Sequence, residues 1–96
     1  MVQILARREQ QSTETIDYPI SFERWFQNRS DAPATFTAEA SAGIELVASS
    51  LVGQVVWVVL RGGTNGTTYK ITVTLTTNAG VPITKEADIL VRIKDV

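Results

Sequence analysis

The carboxylates are the side chains in this sequence best suited to catalysis. They fall into two groups, with Asp17, Glu23 and Asp31 in the first third of the chain and Glu86, Asp88 and Asp95 near its end. If one carboxylate from each group met in space, the two would have the chemistry of a glycosidase pair. No aromatic platform for a sugar accompanies them, so solvated surface charges are the favoured interpretation.

Other reactive groups are missing or lack a partner. The 96 residues include no histidine and no cysteine, which removes the imidazole base, the thiol nucleophile and the disulfide. Ser49 and Ser50 have no base beyond a conceivable lysine. The glycine-rich stretch 62–66 lacks the Gly-Lys-Ser/Thr ending of a phosphate-binding loop, and no calcium-loop motif is present. We therefore expect no catalytic residues, no metal site and no cofactor.

The charge balance argues against nucleic acid and membrane partners. Nine Lys and Arg residues stand against ten Asp and Glu residues, and the largest basic cluster is Arg7-Arg8. A nucleic-acid-binding protein usually has a basic excess on one face. No segment reaches the ~20 apolar residues of a membrane span. The short apolar run at the start precedes its arginine pair, which is the reverse of a signal peptide.

Alternation of apolar and polar residues predicts an all-β protein. Thr and Val dominate short segments that are separated by proline and glycine, and both residues favour strands. The alternating segments are 15–22, 34–40, 43–49, 54–61, 69–76 and 87–94. Six or seven such strands predict an antiparallel sandwich or a small barrel.

Three positions refine this prediction. Pro19 interrupts the first segment, which indicates an edge strand or a break. The segment 54–61 is apolar on both faces, so we expect it to be central or to face a partner, with Trp57 in the core. Residues 22–31 form either a helical turn or a continuation of the first strand.

Tyr69 follows a glycine-rich turn and begins a strand, as the tyrosine corner of immunoglobulin-like sandwiches does. In that corner the hydroxyl contacts the backbone just upstream and ties the crossing between two sheets. The order Gly66, Thr67, Tyr69, Ile71 and Val73 resembles the fibronectin type III pattern. We therefore predict an immunoglobulin-like antiparallel β-sandwich of about seven strands, with Tyr69 and Gly66 at its structural corner.

The same region resembles a family of small structural proteins of tailed phages and prophages, described as fiber–tail adaptors. The family has an early Asp-Tyr motif followed by an aromatic residue, a strand ending in Gly-Gly-Thr, a Gly-Thr-Thr-Tyr corner, a Thr-Thr hairpin and a basic last strand. The matching residues here are Asp17-Tyr18, Trp25, Trp57, Leu60, Gly62-Gly63-Thr64, Gly66 to Tyr69, Thr76-Thr77, Gly80, Val91-Arg92 and Asp95. The sequence departs from the family at Arg61, where a small polar residue is expected.

The resemblance covers residues 14–96, which we expect to form a single domain. Residues 1–13 then form an N-terminal arm, either a flexible tail or a strand that adds to a neighbour's sheet. We expect that removing this arm leaves the domain folded and weakens assembly.

The resemblance implies a non-enzymatic virion protein of the neck, tail or baseplate region, made in the cytoplasm of the bacterial host. It would bind tail, fiber or portal-proximal proteins and identical copies of itself. Two alternatives stay open: a capsid decoration protein, and an adhesion or carbohydrate-binding immunoglobulin-like module.

Seven residues are candidates for protein–protein contacts. They are chosen for their chemistry and for their expected exposure. They are Ile4 and Leu5 in the arm, the aromatic residues Phe22, Trp25 and Phe26, and the turn residues Asn65 and Asn78. The alternative for the three aromatic rings is that they close one end of the sandwich.

Overall fold

Seven β-strands and one short helix make up the protein. A computed structural model describes residues 3–95, with side chains from residue 7 onward. The elements are β1 (Gln3–Gln10), β2 (Thr15–Ser21), α1 (Glu23–Phe26), β3 (Pro33–Ala40), β4 (Ile44–Val52), β5 (Val55–Gly62), β6 (Thr68–Thr77) and β7 (Thr84–Ile93).

The strands form two sheets that pack face to face. One sheet has four strands in the order β1-β7-β6-β3, and the other has three in the order β2-β5-β4. The chain therefore changes sheet four times, between β1 and β2, between β2 and β3, between β3 and β4 and between β5 and β6. This arrangement confirms the predicted all-β sandwich of seven strands. One ladder, β1 with β7, is parallel, a feature that the alternation pattern did not indicate.

The core lies between the sheets and comes from every second residue of four strands. β2, β5, β6 and β7 each turn alternate apolar side chains inward, as the two-residue period of a strand requires. Each fully buried Val, Leu or Ile contributes about 1.5–3 kcal/mol from its removal from water. The residues with no exposed surface are Ile20, Val56, Val58, Leu60, Ile71, Val73, Leu75, Val91 and Ile93.

Two of the three refined predictions agree with the three-stranded sheet, and the position predicted for Trp57 does not. β2 is an edge strand, where Pro19 is tolerated, and β5 is the middle strand. Trp57, however, does not lie in the core. It lies on the outer face of β5 and is half-buried, because Val56, Val58 and Leu60 occupy the inner face.

The doubtful segment after β2 forms a helical turn. α1 comprises only Glu23–Phe26, and the N–H of Phe26 donates to the carbonyl of Phe22 at 3.1 Å.

Within residues 3–95 no helix is long and apolar enough to cross a membrane.

The predicted N-terminal arm contains β1. Residues 3–10 run parallel to β7 of the same chain, from Gln3 opposite Ala87 to Gln10 opposite Ile93. The register shifts between Ile4 and Ala6. This pairing changes our expectation for removal of residues 1–13, because the truncation would leave one edge of β7 unpaired.

Gln10 at the end of β1 joins the two sheets. Its side chain is 3% exposed, and its Nε2 donates to the carbonyls of Glu14 at 2.9 Å and Leu60 at 3.1 Å. Its Oε1 accepts a hydrogen bond from the hydroxyl of Tyr18 at 2.8 Å. A buried amide with all these groups satisfied is stabilising, whereas removing one partner leaves a buried polar atom unpaired.

Tyr18 should make stability depend on pH in the alkaline range. Burial raises the pKa of Tyr18 above its ordinary value of 10.0, and the negative charge of Glu14 raises it further. The positive charge of Arg8 acts in the opposite direction and lowers the pKa. The folded state therefore holds the proton more tightly than the unfolded state. This contribution to the free energy of unfolding is fully present below pH 10 and falls as the pH rises through the raised pKa.

The test is urea unfolding of wild type and Tyr18→Phe between pH 8 and 11. The substitution should cost about 1–3 kcal/mol at pH 8, because Gln10 Oε1 loses its donor. It should also remove part of the alkaline loss of stability. Tyr69→Phe is the matched control, because hydrogen bonds with Thr64 lower the pKa of Tyr69 instead. An equal alkaline slope in wild type and Tyr18→Phe would contradict the assignment.

Candidate protein-interaction site

One end of the sandwich is fastened around Tyr69. Its ring is 4% exposed, and its hydroxyl accepts a hydrogen bond from the backbone N–H of Thr64 at 2.9 Å. Thr64 lies in the connection from β5 to β6, where the chain passes from one sheet to the other. The N–H of Thr67 donates to the carbonyl of Thr64 at 3.0 Å and closes a turn. Gly66 occupies the third position of that turn with a φ of 87°, where glycine is favoured.

The ring of Tyr69 fits between two glycines. A Cβ added to Gly63 would lie 3.0 Å from Cε2 of Tyr69 and 2.6 Å from Cγ1 of Ile93. A Cβ added to Gly43 would lie 3.0 Å from Cε1 on the opposite side of the ring. A methyl group at either position would crowd the ring, and at Gly63 it would also force Ile93 to shift, so these two glycines allow the phenol to approach the backbone.

Asp95, just beyond the C-terminal end of β7, adds further hydrogen bonds at the Tyr69 end of the sandwich. The carboxylate of Asp95 accepts hydrogen bonds from the N–H of Ser12 at 2.8 Å and from its hydroxyl at 3.0 Å. The N–H of Asp95 donates to the side-chain oxygen of Asn65 at 2.9 Å. The groups at this end therefore hold the fold together.

Gly63→Ala should destabilise the protein more than alanine at an unobstructed glycine. The positive φ of 96° costs about 1–2 kcal/mol for any other residue, and the clash with Ile93 costs about 1–3 kcal/mol more. Gly53→Ala is the matched control, because Gly53 also has a positive φ but no atom within 4 Å of the added Cβ. Urea unfolding should give a lower free energy of unfolding for Gly63→Ala than for Gly53→Ala. Equal losses would show that the packing of Ile93 and Tyr69 against Gly63 adds no constraint.

The other end of the sandwich brings three connections together. They are the α1 segment between β2 and β3, the β4–β5 turn and the β6–β7 loop. The N–H of Phe22 donates to the carbonyl of Gln54 at 2.8 Å, which links the first two. Asn78 and Ala32 exchange two hydrogen bonds of 2.9 Å, through the N–H and the side-chain oxygen of Asn78, and these link the third. We call this region the α1 end.

Exposed apolar side chains concentrate at the α1 end. Val81 is 78% exposed in the β6–β7 loop, Val52 is 62% exposed beside the β4–β5 turn, and Ile83 is 37% exposed. Val47 is the other large exposed apolar residue among those described. Apolar surface that is grouped rather than scattered is a candidate interaction site.

Trp25 lies at the same end within a small cluster. Its ring meets Phe26 edge to face at 4.8 Å, and the guanidinium of Arg29 lies 4.6 Å from the ring centroid. Arg29 also forms a bidentate ion pair with Asp31, with N···O distances of 2.9 and 2.8 Å. These hydrogen bonds lower the pKa of the Asp31 carboxyl. Burial of the carboxyl has the opposite, smaller effect on the pKa. The cluster therefore holds Trp25 in a fixed, half-buried position.

The apolar surface continues along the outer face of β5. Val52 pairs with Val55, and Val55, Trp57 and Val59 follow one another on that face, all half-buried. Across the sheet, Pro19 lies opposite Trp57. The sequence signal for this strip was the apolar character of both faces of the segment 54–61.

The structure distributes the predicted contact residues unevenly. Phe22 and Phe26 are each 3% exposed, so they lie in the core and are not surface anchors. Asn78 is exposed at the α1 end, and Asn65 is exposed at the opposite end. Ile4 and Leu5 lie in β1, but their side chains are outside the described residues.

The carboxylates singled out in the sequence have different surroundings. Among the described residues, no group of three or more acidic side chains is arranged to hold a metal ion. Asp31 pairs with Arg29 and Asp95 binds Ser12. Asp88 is buried, and its Oδ1 has no hydrogen-bond partner in the described part of the chain.

The fold defines the class as an all-β sandwich domain, and its α1 end carries exposed apolar residues. Comparison with known families gives the particular family. Residues 10–92 match the family model described as podophage GP4 fiber-tail adaptor protein gp77. The chain belongs to this family of phage fiber–tail adaptors, which makes it a structural component of the virion tail. The comparison with curated proteins gives no significant match.

Proposed function

We propose that the protein is a non-enzymatic connector that joins tail fiber components to the tail through protein–protein contacts. Family membership supports this role, because the family is described by an adaptor function. The observation that carries the proposal is the contrast between the two ends of the domain. Internal hydrogen bonds hold both ends, whereas the exposed side chains of Val52, Val81 and Ile83 lie at the α1 end.

The α1 end is the proposed contact surface for another virion protein. Its three connections are cross-linked by backbone hydrogen bonds, so Val52, Val81 and Ile83 are presented on a supported framework. A surface that is already ordered loses little conformational entropy on binding. Apolar contacts then contribute about 25 cal/mol for each Å² removed from water.

Several copies of the chain act together in this proposal. Each copy binds neighbouring copies as well as tail or fiber proteins. Repetition of the contact around a symmetric assembly compensates for a small interface on each copy.

Val81→Asp should reduce incorporation of the protein into phage particles by about tenfold or more, which corresponds to ~1.4 kcal/mol of binding free energy. The charge would have to be desolvated at the contact, whereas in the free chain Val81 is 78% exposed and tolerates it. Quantitative mass spectrometry of purified particles measures the copies incorporated.

Val47→Asp is the matched control, because Val47 is also exposed but lies on β4 away from the loops. It should be incorporated as wild type. Normal incorporation of Val81→Asp together with loss of Val47→Asp would place the contact elsewhere. Circular dichroism of both variants checks that the fold is unchanged.

A further inference from the structure

The outer face of the four-stranded sheet carries two depressions of opposite charge. The first, which we call the basic depression, lies over β1 and β7 and has a volume of about 610 Å³. Its charged residues are Arg7, Arg8 and Arg92 against Glu9, a formal charge of three minus one, or +2. Leu90 and Thr68 complete its lining.

The second depression, the acidic depression, lies towards the opposite edge of the same sheet. It has a volume of about 290 Å³ and is lined by residues of β3, β6 and β7. Its charged residues are Glu39 and Glu86 against Lys70, a formal charge of one minus two, or −1.

These charges have no ion-pair partners within the described part of the chain. The ion pairs there are Arg29–Asp31 and Arg61–Glu45, and neither involves a residue of the two depressions. The charges are therefore available to another molecule. The chain as a whole carries a net charge of −1, so repulsion between copies is small.

Each depression also lies beside an edge strand. In the order β1-β7-β6-β3, β1 bounds the sheet on the basic side and β3 bounds it on the acidic side. An edge strand has unpaired backbone N–H and C=O groups that can pair with another strand. The described side chains of β1 include Arg7 and Arg8, whereas the charged residue of β3 is Glu39.

We infer that copies of this chain associate head to tail, with the β1 edge and basic depression of one copy against the β3 edge and acidic depression of the next. The two surfaces differ, so each copy uses one of each, and the contact propagates into a ring or a filament instead of ending at a dimer. The inference specifies the self-association within the proposed function and rests on it. It is independent of the α1 end.

The test uses two charge-reversal variants of the full chain in sedimentation velocity. One is Arg7→Glu with Arg92→Glu, and the other is Glu39→Lys with Glu86→Lys. Wild type should form species larger than a dimer at low salt and dissociate at high salt, since exposed charges are screened. Each variant alone should sediment as a monomer, because both of its surfaces then carry the same sign of charge.

The decisive measurement is the equimolar mixture of the two variants. Their reversed surfaces complement each other, and so do their unchanged surfaces, so the mixture should restore the wild-type distribution. Arg24→Glu, an exposed charge reversal on α1, is the control and should assemble as wild type.

Three results would overturn the inference: a wild-type protein that stays monomeric at low salt, variants that assemble like wild type, or a mixture that stays monomeric. A complex that ends at a dimer would also contradict head-to-tail contact. Circular dichroism and melting curves of the variants exclude misfolding as the cause. If the sedimentation results contradict head-to-tail contact while Val81→Asp is still lost from particles, the connector role stands. Only this mode of self-association is then excluded.

Discussion

The close packing of Tyr69 against glycine backbone is the constraint on which the rest of the structure depends. Without a Cβ at Gly43 or Gly63, the phenol reaches the N–H of Thr64 and fixes the chain where it passes between the sheets. The position of β6 then determines which side chains face the core, because a shift of one residue would turn every apolar side chain outward. One ring therefore sets the register of a strand that contributes Ile71, Val73 and Leu75 to the core.

Gln10 and Asp95 extend this constraint to the ends of the chain. Gln10 connects β1 to both Tyr18 and Leu60, and Asp95 fastens the β1–β2 turn to the end of β7. The sequence has no cysteine for a disulfide, so these hydrogen bonds, buried at Gln10 and exposed at Asp95, take the place of covalent cross-links. They hold β1, which lies in the predicted arm, beside β7 and next to β2.

The sequence predicted the sandwich because alternation over 15–22, 69–76 and 87–94 is a local property of each strand. It could not predict the parallel pairing of β1, since the partner strand lies at the other end of the chain. Trp57 was misplaced for a related reason: a strand that is apolar on both faces does not reveal which face is inside. The α1 end escaped prediction because Val81 and Ile83 are ordinary loop residues until the fold gathers them with Val52.

The two ends of the domain differ in what they would gain by binding another protein. Polar side chains that are already hydrogen-bonded to each other, such as Asp95 with Ser12, gain little from a partner, because binding would only exchange one set of hydrogen bonds for another. Exposed valines gain by leaving water, which is why we propose the α1 end as the contact surface. A domain that must be stable alone and also bind neighbours can separate these requirements in space. Strands of ten residues, β6 and β7, separate the Tyr69 end from the proposed contact surface at the α1 end.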